Sequence, residues 1–157
     1  MTPQTEIRLV LPYPISANRY WRSFVPRGGS RAVTVVSDEA KAYKRDVAKI
    51  AAIHGAEPLR GRVHVEIKLY PARPLDWAKR ASRDPMNWDD TIRCIDLDNA
   101  RKVLYDALKG VVFEDDDRVF SDYAARMEPD GEARVVVLIR RIVRASPKAM
   151  MFEQEAA

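Results

Sequence analysis

The chain has 157 residues, 46% of them apolar, and a formal net charge of +4. That length fits one domain and leaves no room for two, and the apolar share excludes a disordered chain. One cysteine excludes an internal disulfide, two histidines argue against zinc clusters and histidine-based nucleases, and no apolar run approaches the roughly 18 residues of a membrane span.

Ile7, Leu9 and Leu11 alternate with other positions and read as a first strand ending at Pro12. Residues 12–31 are rich in Pro, Gly, Arg and aromatics and read as loop. Ala32 to Val36 is a short β-prone run. Ser37 is a good N-cap, and the spacing of Ala40, Tyr43, Val47, Ile50 and Ala51 predicts a helix to about Ile53, ended by Gly55. Val63, Val65, Ile67 and Leu69 alternate with His64, Glu66, Lys68 and Tyr70, the pattern of a half-buried strand.

Residues 72–95 have no clean period and read as a long loop, the kind that is often functional. A helix follows over about Asn99 to Lys109, with Asp98 as its expected cap and Gly110 as its stop. Val119 to Met127 and Ala133 to Ile142 read as two strands, with a hairpin signal at Pro129-Asp130-Gly131. The expected fold is α+β: a single domain, one mixed β-sheet with two main helices packed on one face, over residues 1–145. Residues 146–157 are expected to be a flexible tail.

Charge is unevenly placed. Residues 1–50 carry nine Lys/Arg against four Asp/Glu, while residues 91–125 carry five against eight. A basic frame around an acidic centre fits a surface that tracks phosphates around a metal. The acidic centre has two parts, Asp96-Leu97-Asp98-Asn99 with Lys102, and Glu114-Asp115-Asp116-Asp117 beyond the helix. Asp98, Lys102 and Asp106 fall in a row at i, i+4 and i+8, opposite the apolar face of Ala100, Val103, Leu104, Ala107 and Leu108. Asp96, two residues before Asp98 in an extended entry, projects to the same side. The acidic turn joins them only if the next strand runs back alongside the helix. Hard cations such as Mg2+ need only two or three carboxylates beside their waters, and a lysine offsets charge on a phosphoryl group. The pattern is that of a metal-dependent nuclease. Asp98 as a plain cap, Asp106 with Lys102 as a surface pair, and residues 114–117 as a solvated turn are the structural alternatives.

Asp96-Leu97-Asp98-Asn99, Lys102, Asp106-Ala107-Leu108 and the Asp-Asp pair before a Val-led strand resemble the RusA-type Holliday junction resolvases, small endonucleases often encoded by phages and prophages. Leu11-Pro12-Tyr13-Pro14-Ile15-Ser16-Ala17-Asn18-Arg19-Tyr20 and Val35-Val36-Ser37 resemble that family as well. The resemblance implies a homodimer that binds four-way DNA junctions and cuts two strands symmetrically with Mg2+, for which Mn2+ can substitute. It places the metal ligands at Asp96, Asp98 and Asp116, with Asp115 in reserve, and the active-site lysine at Lys102. It also implies the cytoplasm of a bacterial or phage-infected cell. The chain departs from the family in a longer 72–92 segment, in Arg118 where glutamine is expected, and in Arg126 where lysine is usual.

Asn18, Arg19, Arg22, Arg27 and Arg31 lie with Tyr20 and Trp21 in the first loop, where cations hold phosphates and rings either stack on bases or anchor the loop. Lys79, Arg80 and Arg83, with Trp77 and Trp88, form a candidate second contact arm. Glu66 and Lys68 share one strand face, as another nuclease class requires, but Asp46 is badly placed to complete that set. A branched-DNA-binding protein without cleavage, and a nuclease for forks or flaps, are the alternatives.

Overall fold

The computed structural model describes residues 3–143. Expectations for residues 146–157 lie outside them. Four strands, β1 (Glu6–Pro12), β4 (Val63–Tyr70), β5 (Val119–Arg126) and β6 (Arg134–Arg141), form one mixed sheet in the order β1-β6-β4-β5. β6 is antiparallel to both β1 and β4, and β4 is parallel to β5. A second, two-stranded ribbon pairs β2 (Trp21–Phe24) with β3 (Val33–Val36).

Alternation decides which face is buried. Ile7, Leu9 and Leu11, Val63, Val65, Ile67 and Leu69, and Val135, Val137 and Ile139 all turn to one side. Two helices complete the core there: α2 (Asp38–Ile53) through Ala40, Tyr43, Val47 and Ala51, and α4 (Leu97–Leu108) through Ala100, Val103, Leu104, Ala107 and Leu108. Each of these valines, leucines and isoleucines taken from water contributes about 1.5–3 kcal/mol before the loss of conformational entropy is subtracted. Tyr43 donates a hydrogen bond to the Pro12 carbonyl at 2.9 Å and so ties α2 to the end of β1. The Ser37 hydroxyl caps α2 by accepting from the Ala40 N–H at 3.1 Å. Gly110 leaves α4 at a φ of +75°, a conformation that side chains with a Cβ resist.

Four sequence expectations are corrected. β5 and β6 do not form a hairpin, because β4 lies between them and the 127–133 segment steps across its end, with Met127 N–H donating to the Leu69 carbonyl at 2.8 Å. The 12–31 segment holds a short helix, α1 (Ala17–Tyr20), and β2. The 72–95 segment holds α3 (Trp77–Arg83), which has no buried residues and so carries no apolar period to read. Asp96, not Asp98, is the N-cap of α4. Among the described residues, no helix is long and apolar enough to cross a membrane.

Candidate active site

Asp96 enters α4 with extended backbone, φ −70° and ψ 156°, which aims its carboxylate at the first open N–H groups of the helix. One oxygen accepts from the Asn99 N–H at 2.8 Å, and the other accepts from the Asn99 side-chain amide at 2.8 Å. Asp98 lies in the first turn, where the helix dipole favours negative charge. Lys102, one turn on, donates to Asp98 at 2.8 Å. That bond holds the Asp98 carboxyl below its usual value and raises the Lys102 ammonium above its own. Two carboxylates and an ammonium therefore share one exposed helix end.

The acidic turn is at the other end of the same helix. Asp115 accepts the Asp116 N–H at 2.8 Å and pairs with Lys109 at 3.4 Å, just past the last turn of α4. The bond from the Asp116 N–H keeps the Asp115 carboxyl low. Asp116 borders a surface hollow with Tyr105, Val119 and Asp122. Twelve residues at 1.5 Å each put the two ends of α4 about 18 Å apart. Among the described residues, no three His, Cys, Asp or Glu side chains stand close enough to hold a metal ion. Asp96, Asp98 and Lys102 are thus brought together, and Asp115 and Asp116 are not brought to them within one chain. β5 does run back alongside α4, but it starts from the acidic turn and so leaves that turn at the far end.

The carboxylate that β5 carries back is Asp122, which sequence reasoning missed. It accepts from Arg101 Nε at 2.8 Å and from the Tyr105 hydroxyl, locking β5 to α4. Burial raises its pKa, and the bonds from Tyr105 and Arg101 outweigh this to leave it low. Tyr13, one of several aromatics in the opening segment, secures the entry to α4. Its hydroxyl accepts the Ile95 N–H at 2.7 Å, one residue before Asp96, and points at Cys94 Sγ 3.5 Å away. Burial and the Cys94 contact push the Tyr13 hydroxyl up to about 12, so it stays protonated. The sequence signal for Asp122 is a lone carboxylate within an otherwise uncharged stretch of strand. Tyr13 gives no signal that sets it apart from neighbouring aromatics.

The expected DNA-contact residues form two groups. Tyr20 is fully buried and donates to Asp106, and its ring lies 4.5 Å from that of Trp21, so Tyr20 anchors the first loop to α4. Lys44 joins Asp106 at 3.4 Å. Asn18 and Arg19 ride on α1, with Arg19 paired to Glu39; Arg22 is on β2, and Arg27 and Arg31 are exposed in the turn between β2 and β3. Lys79, Arg80 and Arg83 are all on α3, where Arg80 is held by Asp76 at 2.9 Å and Lys79 and Arg83 face solvent. Arg126 at the end of β5 donates to the Ile92 carbonyl at 3.4 Å, so this end of the strand is close to the entry of α4.

The donors fit a hard divalent cation, being carboxylate oxygens without thiol or imidazole, but two per chain do not complete a site. Two comparisons bear on this geometry. A family model described as "Endodeoxyribonuclease RusA" matches residues 12–140. A protein of Enterobacteria phage HK97 named "Crossover junction endodeoxyribonuclease rusA" is 32% identical over 117 residues, covering 74% of this chain and 78% of that one.

Proposed function

The chain belongs to the RusA endodeoxyribonuclease family, and from that premise we propose that it cuts four-way DNA junctions at a metal site shared by two copies of the chain. As a member it is a nuclease that hydrolyses phosphodiester bonds in DNA. The observation that carries the finer reading is the separation of Asp96 and Asp98 from Asp116 by the length of α4. A second copy removes the difficulty. β5 is the outer strand of the sheet, eight residues long, with Phe120 and Tyr123 exposed by 53% and 54%. It carries neither proline nor lysine, and its Asp122 is drawn back onto α4 by Arg101 and Tyr105. Antiparallel pairing of two β5 strands about a two-fold axis sets the start of one beside the end of the other. The acidic turn of a second copy, directly before its Val119, then lies toward Arg126 and the entry of α4.

In this arrangement Asp96 and Asp98 of one chain and Asp116 of the other would hold the cation, Mg2+ or Mn2+. When bound, the ion supplies Lewis-acid stabilisation of the phosphate and of the leaving oxygen. The chain's own groups do the rest. The Asn99 amide and N–H fix the orientation of Asp96. Tyr13 holds the backbone that delivers Asp96. Lys102 stands one turn from Asp98, where its ammonium offsets charge on the scissile phosphate. Arg22, Arg27, Arg31, Lys79 and Arg83 supply exposed cations for the DNA backbone. Paired sites on a two-fold axis suit a substrate with its own approximate two-fold symmetry and would give paired cuts.

Mixing two inactive variants tests this reading. Asp98→Asn and Asp116→Asn are each expected to cut no junction. In a mixed dimer one site has lost both residues and the other has lost neither, so random mixing restores about a quarter of the sites. The restored dimers would nick one strand only. No recovery on mixing, with exchange of subunits verified, would overturn the shared site. Faster cutting of a fork than of a four-way junction by the wild-type protein would instead favour a fork or flap nuclease.

A further inference from the structure

The 72–92 segment and the 127–130 bend together enclose a cavity. About 390 Å³ of space opens beside the end of β4, walled by Tyr70, Arg73, Trp77, Trp88, Glu128 and Asp130. We propose that it takes one unstacked nucleobase of the bound DNA, and that Glu128 makes it favour cytosine or adenine over thymine. This rests on the reading of the chain as a nuclease of branched DNA.

The walls are those a base requires. Trp88 is 7% exposed and is held by its indole N–H, which donates to Glu128 Oε1 at 2.9 Å. Trp77 is 38% exposed, and the Arg73 guanidinium is 4.5 Å from its ring centre. The Arg134 guanidinium is 4.1 Å from the centre of the Tyr70 ring and makes two bonds to Asp130, at 2.7 and 3.1 Å. Flat faces backed by guanidinium groups stack well on any base. The volume falls in the range of roughly 300–1,000 Å³ usual for ligand pockets and exceeds what one base fills.

The polar groups narrow the choice. Asp130 is neutralised by Arg134 through both oxygens. Glu128 lies at the exposed rim, where one oxygen accepts from Trp88 and Oε2 faces solvent, open to a ligand that enters. A carboxylate oxygen accepts from the amino group of cytosine or adenine and repels the carbonyls of thymine.

The place is also right. Met127 and Pro129 line both this cavity and a neighbouring hollow of about 250 Å³ that reaches Arg126, Asp89 and Asp90. Arg126 in turn touches the backbone four residues before Asp96. Lys79 and Arg83 on α3 face solvent on the same segment as Trp77, where they would meet the phosphates flanking an extruded base.

The test varies both sides of the contact. Four-way junctions carry cytosine, thymine or an abasic residue at each nucleotide flanking the branch in turn. Affinity is measured with the Asp98→Asn protein and cleavage with the wild type. At one position the abasic residue should weaken binding about ten-fold, the size of one lost base–aromatic stack, and thymine should bind less well than cytosine. Adding Trp77→Ala, at an exposed position, should erase the abasic effect. Adding Glu128→Gln keeps an oxygen for Trp88 and offers an amide donor beside it, so the preference should turn toward thymine. A flat profile across all positions, or one unchanged by Trp77→Ala, overturns the pocket while cleavage leaves the nuclease reading standing. Failure of the wild type to bind or cut any branched DNA removes that reading, and the pocket with it.

Discussion

Asp96 is bound to Asn99 twice, through the backbone N–H and through the side-chain amide, both at 2.8 Å. One carboxylate therefore serves the fold as a helix cap and stands in the proposed metal site, and the two duties are separable. Asparagine caps a helix about as well as aspartate, whereas alanine costs about 1 kcal/mol. Asp96→Asn is expected to keep wild-type stability in urea and lose junction cleavage, while Asp96→Ala loses both. Cleavage by Asp96→Asn at the wild-type rate would take Asp96 out of the metal site.

The Asp98–Lys102 pair sets a pH window. The folded pKa of Asp98 lies below its unfolded value, so its contribution to stability is present above about 3.9 and is lost as pH falls through the lowered folded value. The folded pKa of Lys102 lies above its unfolded value, so its contribution is complete below about 10.4 and is lost as pH rises through the raised folded value. Lys102→Met should move the Asp98 carboxyl upward in a carbon-detected NMR titration. It should also slow cleavage about a hundred-fold, the scale of losing one transition-state donor. An Asp98 titration that does not move would show that the pair is absent in solution.

The outer edge of β5 is expected to hold the dimer. Tyr123 is exposed in one chain, so Tyr123→Lys should change the stability of the fold by no more than about 0.5 kcal/mol. A lysine on a strand edge opposes further pairing. Sedimentation equilibrium should show the variant shifted to monomer, with cleavage falling in step. A variant that remains a fully active dimer would place the interface elsewhere.

Tyr13→Phe removes the acceptor of the Ile95 N–H. A half-buried donor left unpaired costs about 1–3 kcal/mol, which urea unfolding will read. Because Tyr13 positions the entry to Asp96, the rate constant for cleavage should fall while the affinity for a junction stays unchanged. Loss of affinity without loss of rate would assign Tyr13 to the DNA surface instead.

Much of the fold is legible in the residues. β1, α2 and β4 follow apolar spacing that only one kind of element satisfies, and Ser37 and Gly110 mark helix ends by their chemistry. The α4 cap lies two residues before the expected one because Asp96 and Asp98 are equally good capping types, and only the extended backbone at Asp96 selects between them. α3 leaves no trace in the pattern because a helix with no buried side chain has no periodic face. The hairpin expected at residues 127–133 fails for a non-local reason: turn chemistry tells where a chain bends, while the neighbour of a strand is chosen by the whole sheet. At the site, Asp96, Asp98 and Lys102 are close in sequence and their clustering follows from helix geometry. Asp122 depends on the packing of β5 on α4, and the position of Asp116 depends on the direction of β5, and neither is a local property.

β6 joins the two halves of the sheet, with Glu6 opposite Arg140 and Val63 opposite Arg141. Among the described residues β1 has no other partner in the sheet. During synthesis the first strand must therefore wait for the last, more than a hundred residues later, before its backbone is paired. Contacts closing so long a loop form late and slow the search. A nascent chain cut short at the bend after β5 would leave β1 with no strand beside it. A working nuclease thus requires translation through β6, the strand on which both halves of the sheet depend.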